Sequence, residues 1–170
     1  PICVPGRQCL MSGQLPKTCG CEGWMDLQPN YRTFAKHFSQ HAYSTVCCGK
    51  LHHQTWDQMQ GWTARPAGDI SIATNYLEGR VKEEFERYER PFAEFKWSDT
   101  KEVLRAGVGS SQIIENDQDW TEAAVKSIER HFNHAQYDRE SPHRPMLLKV
   151  SLIAPHYPYQ IDEERFGYYL

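Results

Sequence analysis

A chain of 170 residues, 39% apolar and 24% charged, has the make-up of a folded domain long enough to bury a core, and is unlike disordered or collagen-like chains. Its formal net charge of -3 comes without a long basic stripe, which argues against nucleic acid as a partner. The best apolar run, "MLLKVSLIAP", falls short of the ~18 residues of a membrane helix and is broken by Lys149, so no membrane span is expected.

Residues 1–25 are dense in Gly, Pro and Cys and predict a turn entering a short helix, then a loop. Phe34 and Phe38, with His37 and His41, recur at helical spacing and predict an amphipathic helix from Tyr31 to about His41. "YSTVCC" predicts a buried strand ending at Gly49, which leaves "GKLHH" at the strand's C-terminal end, where open α/β sheets bind ligands. Gly61 to Ile70, with Pro66 and Gly68, reads as loop. The charged and aromatic stretch 71–105 predicts helix before Pro91 and a plain surface insertion. "GVGSSQ" is a small-residue loop without the spacing of a phosphate-binding loop. "DQDWTEAAVKSIERHF" is the strongest helix, capped by Asp117 or Asp119, with Trp120, Ala124, Ile128 and Phe132 down one face. Met146 to Ile153 then predicts a buried strand ending in a Pro-rich turn. Two helix–strand units make an α/β domain.

All six cysteines fall in the first 48 residues. Cys19 and Cys21 with Cys47 and Cys48 form a candidate zinc set, although C-x-C and C-C are not the C-x₂₋₄-C pairs of structural zinc sites. The alternative is unpaired thiols in a reduced core. No secretory signal pattern is visible, and with Pro1 as first residue the cellular location is not read.

Three clusters place unusual polar residues at turns or strand ends: Cys3 with Arg7, Lys50 with His52, and His156. Singly, each has a plain explanation as a small buried thiol, a solvated cation or a loop histidine. Together, cations and imidazoles around one nucleophile are what an anionic, tetrahedral, oxygen-rich substrate needs. Arg and Lys neutralise charge developing on its oxygens, and a His can donate a proton to the leaving oxygen. Trp56 and Trp62 follow the Lys50–His52 pair, and Tyr157 and Tyr159 flank His156. Such aromatics hold a quaternary ammonium, stack on a sugar or aryl ring, or pack in the core, and all of these stay open.

"CVPGRQCLMSGQLP" resembles the C-x-P-x-R signature of the type I sulfatases, formylglycine-dependent members of the alkaline-phosphatase-like superfamily. "GKLHH" is similar to that family's Lys-x-His element, and "LIAPHYPY" to its Pro-His-x-Pro element, in the same order. The likeness covers residues 1 to about 62 and about 117 to 170, and "GKLHHQTWDQMQGW" is similar to the choline-sulfatase-like branch. The resemblance implies an α/β three-layer sandwich, a mixed sheet with helices on both faces. Residues 1–170 would be part of one catalytic domain, with a variable insertion at 65–115 and further portions upstream and downstream.

The resemblance also implies hydrolysis of a sulfate monoester, small molecule or glycan, by Cys3 oxidised to formylglycine. A formylglycine-generating enzyme would recognise Pro5 and Arg7. The hydrated aldehyde of Cys3 would be nucleophile and metal ligand, with Arg7 stabilising it. Lys50 would bind a sulfate oxygen, His52 would orient or deprotonate the diol, and His156 would bind sulfate near the leaving group and serve as general acid. Trp56 and Tyr157 are the further candidate substrate contacts.

The family's cation, Ca2+ or Mg2+, sits on an aspartate pair upstream of the nucleophile and an Asp-Asn or Asp-His pair downstream. Neither has a match here, since "ENDQD" stands before a helix in a different place, and Gly6 stands where Ser or Ala is usual. Two other functions remain in view: a phosphonate monoester or phosphodiester hydrolase of the same superfamily, and a non-catalytic zinc module.

Overall fold

The computed structural model describes residues 2–55, 57–69, 107–110, 112–137, 143–156 and 159–170. The expected central strand is β1 (Ser44–Gly49), buried along nearly its whole length. Strand β2 (Ala64–Gly68) pairs with one edge of it and β4 (Met146–Ser151) with the other, both in parallel. A strand covered on both faces has no solvent side for polar residues, which is why "TVCC" reads as one continuous run.

The pleat sends alternate residues to opposite layers. Cys47 and, from β4, Leu147 pack with Met11, Cys19, Cys21, Leu27, Ala35, Leu51 and Trp62. That layer is built by α1 (Cys3–Ser12), α2 (Pro16–Cys19) and α3 (Phe34–Gln40). Val46, Cys48 and Leu148 face the other way, onto Ala124 of α4 (Gln112–Tyr137). Helices therefore cover both faces of a parallel α/β sheet. Two short strands, β3 (Gly107–Val108) and β5 (Gln160–Ile161), pair in parallel beside α5 (Glu163–Tyr168).

Several elements depart from the expectations. Helix α1 begins at Cys3 itself, with Ile2 extended at its N-cap, and Pro5 sits in the first turn, where a missing N–H breaks no bond. Helix α3 starts later than Tyr31, since the Thr33 side chain accepts from Lys36 N and caps it there. Residues 64–68 are strand, not loop. Pro66 is tolerated on an edge strand at a register shift between Val46 and Cys48. Gly107–Val108 likewise pairs as β3 where loop was expected. "ENDQD" lies inside α4, and Asp117 is no cap: it accepts from the amides of Ile153 and Ala154. Trp120 and Ala124 are buried as expected, but Ile128 is 39% and Phe132 58% exposed, so the stripe is covered only in its first half. All the described pairings are parallel, and the mixed sheet is not seen among them. The helix expected before Pro91, and most of the 65–115 insertion, lie outside the described residues.

Gly49 positions the site. At φ 103° it ends β1, and a Cβ there would stand 2.1 Å from the Ser151 carbonyl oxygen and 3.0 Å from the Trp120 ring. Only glycine lets the ends of β1 and β4 close together, with Lys50 N donating to Ser151 O at 2.7 Å.

Candidate active site

Cys3 and Arg7 are one helical turn apart on α1, so both face the same way while Val4, Pro5, Gln8 and Met11 are buried. Arg7 Nη1 donates to Lys50 O at 2.7 Å and to Ser151 Oγ at 2.8 Å. One guanidinium nitrogen thus joins the N-terminal helix to the C-terminal ends of β1 and β4. Lys50 follows β1 directly. Burial pushes its ammonium pKa down, while Cys3, Asp69 and Asp117 pull it up and Arg7 lowers it further.

His52 takes a left-handed backbone, φ 59°. Its amide and that of Leu51 both donate to Asp69 Oδ2, the latter at 2.6 Å. Its ring stands edge-on to Trp24 with centroids 5.3 Å apart, and its Nδ1 is buried without a hydrogen-bond partner. Burial, then the charges of Lys50, Arg7 and His156, push the imidazole down to about 4. The ring is therefore neutral at physiological pH. His156 lies in the turn after β4, its amide donating to Ile153 O at 3.1 Å. The structure thus brings Cys3, Arg7, Lys50, His52 and His156 into one field at the C-terminal edge of the parallel strands.

A repeated device holds the loops. Asp117 Oδ1 and Oδ2 accept from Ile153 N at 2.7 Å and Ala154 N at 2.9 Å. Asp69 takes the amides of Leu51 and His52. Asp26 Oδ2 takes those of Gln54 and Thr55 at 2.7 and 2.6 Å, and the Thr55 hydroxyl at 2.8 Å. Each buried carboxylate fixes two consecutive amides that would otherwise be orphaned. Gln8 Nε2 donates to Asp26 Oδ1 at 2.8 Å and stands 3.0 Å from His53 Nδ1, tying α1 to the same loop. His53 is driven down to about 3 by burial, then by Arg65 and Lys149.

Gln8, Trp24, Asp26, Asp69 and Ser151 were not singled out in the sequence. The clamp carboxylates stand 17 to 37 positions from the amides they hold, with no local signal to find them. Of the aromatic candidates, Trp62 is a core residue, edge-on to Phe34 at 5.5 Å, and Tyr159 is about half exposed. Trp56 and Tyr157 lie outside the described residues. A cavity of about 360 Å³ lies between Tyr31, Lys36, Asp57 and Trp62, and none of the five clustered residues lines it.

The four-cysteine zinc set is not assembled: Cys47 and Cys48 point to opposite faces of the sheet. All six thiols are free. Among the described residues no three His, Cys, Asp or Glu side chains could hold a metal. Calcium asks for six or more oxygens, and Asp26, Asp69 and Asp117 are committed to backbone amides. The described residues do not by themselves fit the Ca2+ or Mg2+ that the resemblance implies. Nor is any described helix long and apolar enough to cross a membrane.

These elements define an α/β chain whose polar chemistry gathers where the parallel strands end. No family model matches it. Curated relatives do. The choline-sulfatase of Rhizobium meliloti (strain 1021) is 28% identical over 160 residues, covering 94% of this chain and 30% of that protein. Arylsulfatase K of Canis lupus familiaris is 27% identical over 176 residues, covering 98% and 27%. An arylsulfatase of Clostridium perfringens (strain 13 / Type A) is 24% identical over 180 residues, covering 98% and 35%. The chain is related to the sulfatases, and it spans about three-tenths of the length of the curated relatives it matches.

Proposed function

We propose that the protein is a sulfuric ester hydrolase that cleaves sulfate monoesters at the cluster around Cys3, matured to formylglycine. The observation that carries this is the pair of hydrogen bonds that Arg7 Nη1 donates to Lys50 O and Ser151 Oγ. It draws the C-x-P-x-R helix, the Lys-x-His loop and the strand leading to His156 into one place. The described sheet and its two helical layers would be part of a three-layer sandwich.

A hydrated aldehyde at position 3 would supply one hydroxyl for attack on sulfur while the S–O bond to the ester's alcohol breaks and the alcohol leaves with a proton. Its second hydroxyl would then lose its proton as the C–O bond to sulfate breaks, releasing sulfate and restoring the aldehyde. The rest is done by side chains on the page. Lys50 offsets the charge on the sulfate oxygens, and His156 meets them beside the leaving oxygen. Arg7, fixed at one nitrogen, holds position 3 in register with them. His52, kept neutral, orients the diol or takes its proton. Any divalent cation would need ligands other than the described residues, and a formylglycine-generating enzyme is the maturation partner that Cys3 calls for.

The test uses the full-length protein from its own host. Digestion and weighing of the Cys3 peptide should give an aldehyde in place of the thiol, and the enzyme should turn over an aryl sulfate faster than an aryl phosphonate ester. The printed name of the Rhizobium meliloti relative makes choline sulfate the second ester to try. Preference for the phosphonate would move the protein to the phosphonate monoester hydrolases. An alkylatable Cys3 with no ester turnover would overturn the proposal.

A further inference from the structure

Asp69 follows β2 directly, and β2 lies beside β1 with Gly68 opposite Gly49, so the carboxylate arrives next to the loop that β1 sends into the site. Its Oδ2 is the acceptor for both Leu51 N and His52 N. Arg65 Nη2 stands 3.8 Å from the same oxygen, and the two side chains are 10% and 2% exposed. Two consecutive amides can point at one oxygen when the backbone bends into a nest, here with left-handed φ at one residue. That residue is His52, at φ 59°, a conformation in which a non-glycine residue is uncommon. Nests of this kind commonly hold a bound anion. Here the anion is internal.

The direction of the loop therefore depends on Asp69. With the Leu51 and His52 amides released, His52 has no reason to stay left-handed, and both its ring and the adjoining Lys50 side chain leave their present directions. A buried ion pair with Arg65 alone would explain a carboxylate at this place. It would not explain why both amides converge on the oxygen that faces the cation.

We propose that Asp69 is a positioning residue: its buried carboxylate, balanced by Arg65, folds the 50–52 loop so that Lys50 and His52 stand beside Arg7 of the helix that carries Cys3. It touches no reacting atom, because it is buried and its Oδ2 is already taken by two amides. The inference rests on the sulfatase reading above and adds to it a residue that shapes the site from behind.

The test is Asp69→Asn in the full-length enzyme, assayed on an aryl sulfate. Asparagine keeps the shape, loses the charge, and sets an amide N–H₂ against Arg65. Displacement of reacting groups by about 1 Å costs on the order of a hundredfold in rate. The expected result is a kcat lower by about that factor with KM within about threefold. A residue that only stabilises the fold would lower the melting temperature and leave kcat of the folded fraction unchanged, and that result overturns the proposal.

If the unaltered protein turns over no sulfate ester, the functional reading fails and positioning falls with it. If D69N yields no folded protein, amide hydrogen exchange of the unaltered, active enzyme decides. Protection of Leu51 and His52 amides like that of β1 supports the clamp, and exchange at open-loop rates overturns it.

Discussion

His53 lies behind the site loop with its ring fully inside the protein, and burial beside Arg65 and Lys149 pushes its pKa from 6.5 down to about 3. Between those values the unfolded chain takes up a proton that the folded chain refuses. The contribution of His53 to stability is therefore fully present above pH 6.5 and is lost as pH falls toward 3, at up to ~1.4 kcal/mol per pH unit. His52, less deeply placed, acts in the same direction. Asp69, whose carboxyl burial pushes upward, acts in the opposite one. The informative quantity is thus a difference. Urea midpoints of the full-length protein from pH 7 to 4 should fall more steeply for the unaltered chain than for His53→Gln. Parallel curves would mean that the ring is not held neutral.

At the scale of elements, the junction of β1 and β4 is the point where a small change has the largest effect. Gly49→Ala would drive a methyl into the Ser151 carbonyl, with the Trp120 ring as its next neighbour and nothing flexible to yield. The cost should be at least about 3 kcal/mol, read as a lowered urea midpoint. A shift under about 1 kcal/mol would mean that the strand ends stand further apart.

The same junction shows what could be read in the sequence. β1 was legible because a strand buried on both faces leaves an unbroken apolar run. β4, expected to be buried, is only half-buried, with Val150 43% exposed. It was legible because Lys149 alone interrupts its apolar run, and the polar residues after both strands marked the site end. β2 was not, because Ala64, Pro66, Ala67 and Gly68 carry turn-like composition and pair only by grace of an edge position. Asp117 was noticed for the wrong reason. Its carboxylate looks like a helix cap in sequence, and in space it serves a loop 36 residues away. Cys3, Arg7, Lys50, His52 and His156 were found through residue type and spacing. What supports them, Asp26, Asp69, Gln8 and Ser151, acts across distances in sequence that no local pattern records.

For the molecule as a whole, the described residues bring together cations and imidazoles but no set of oxygens suited to a hard cation. The chain also spans only about three-tenths of its curated relatives. The 170-residue chain by itself should therefore hydrolyse no aryl sulfate under conditions in which the full-length protein does. Side-by-side assays with added Ca2+ or Mg2+ check this, and turnover by the chain alone would show that its own groups suffice.

The amide clamps also limit what can be transplanted. Segment 50–55 looks like a portable cassette, a short loop bearing a lysine and two histidines. Yet its shape is written by Asp26 from an earlier loop and Asp69 from the neighbouring strand, with Gln8 reaching in from the first helix. Grafted alone onto another parallel sheet, it would carry the reactive side chains and lose their aim. The smallest unit that can travel is the loop together with those three distant residues.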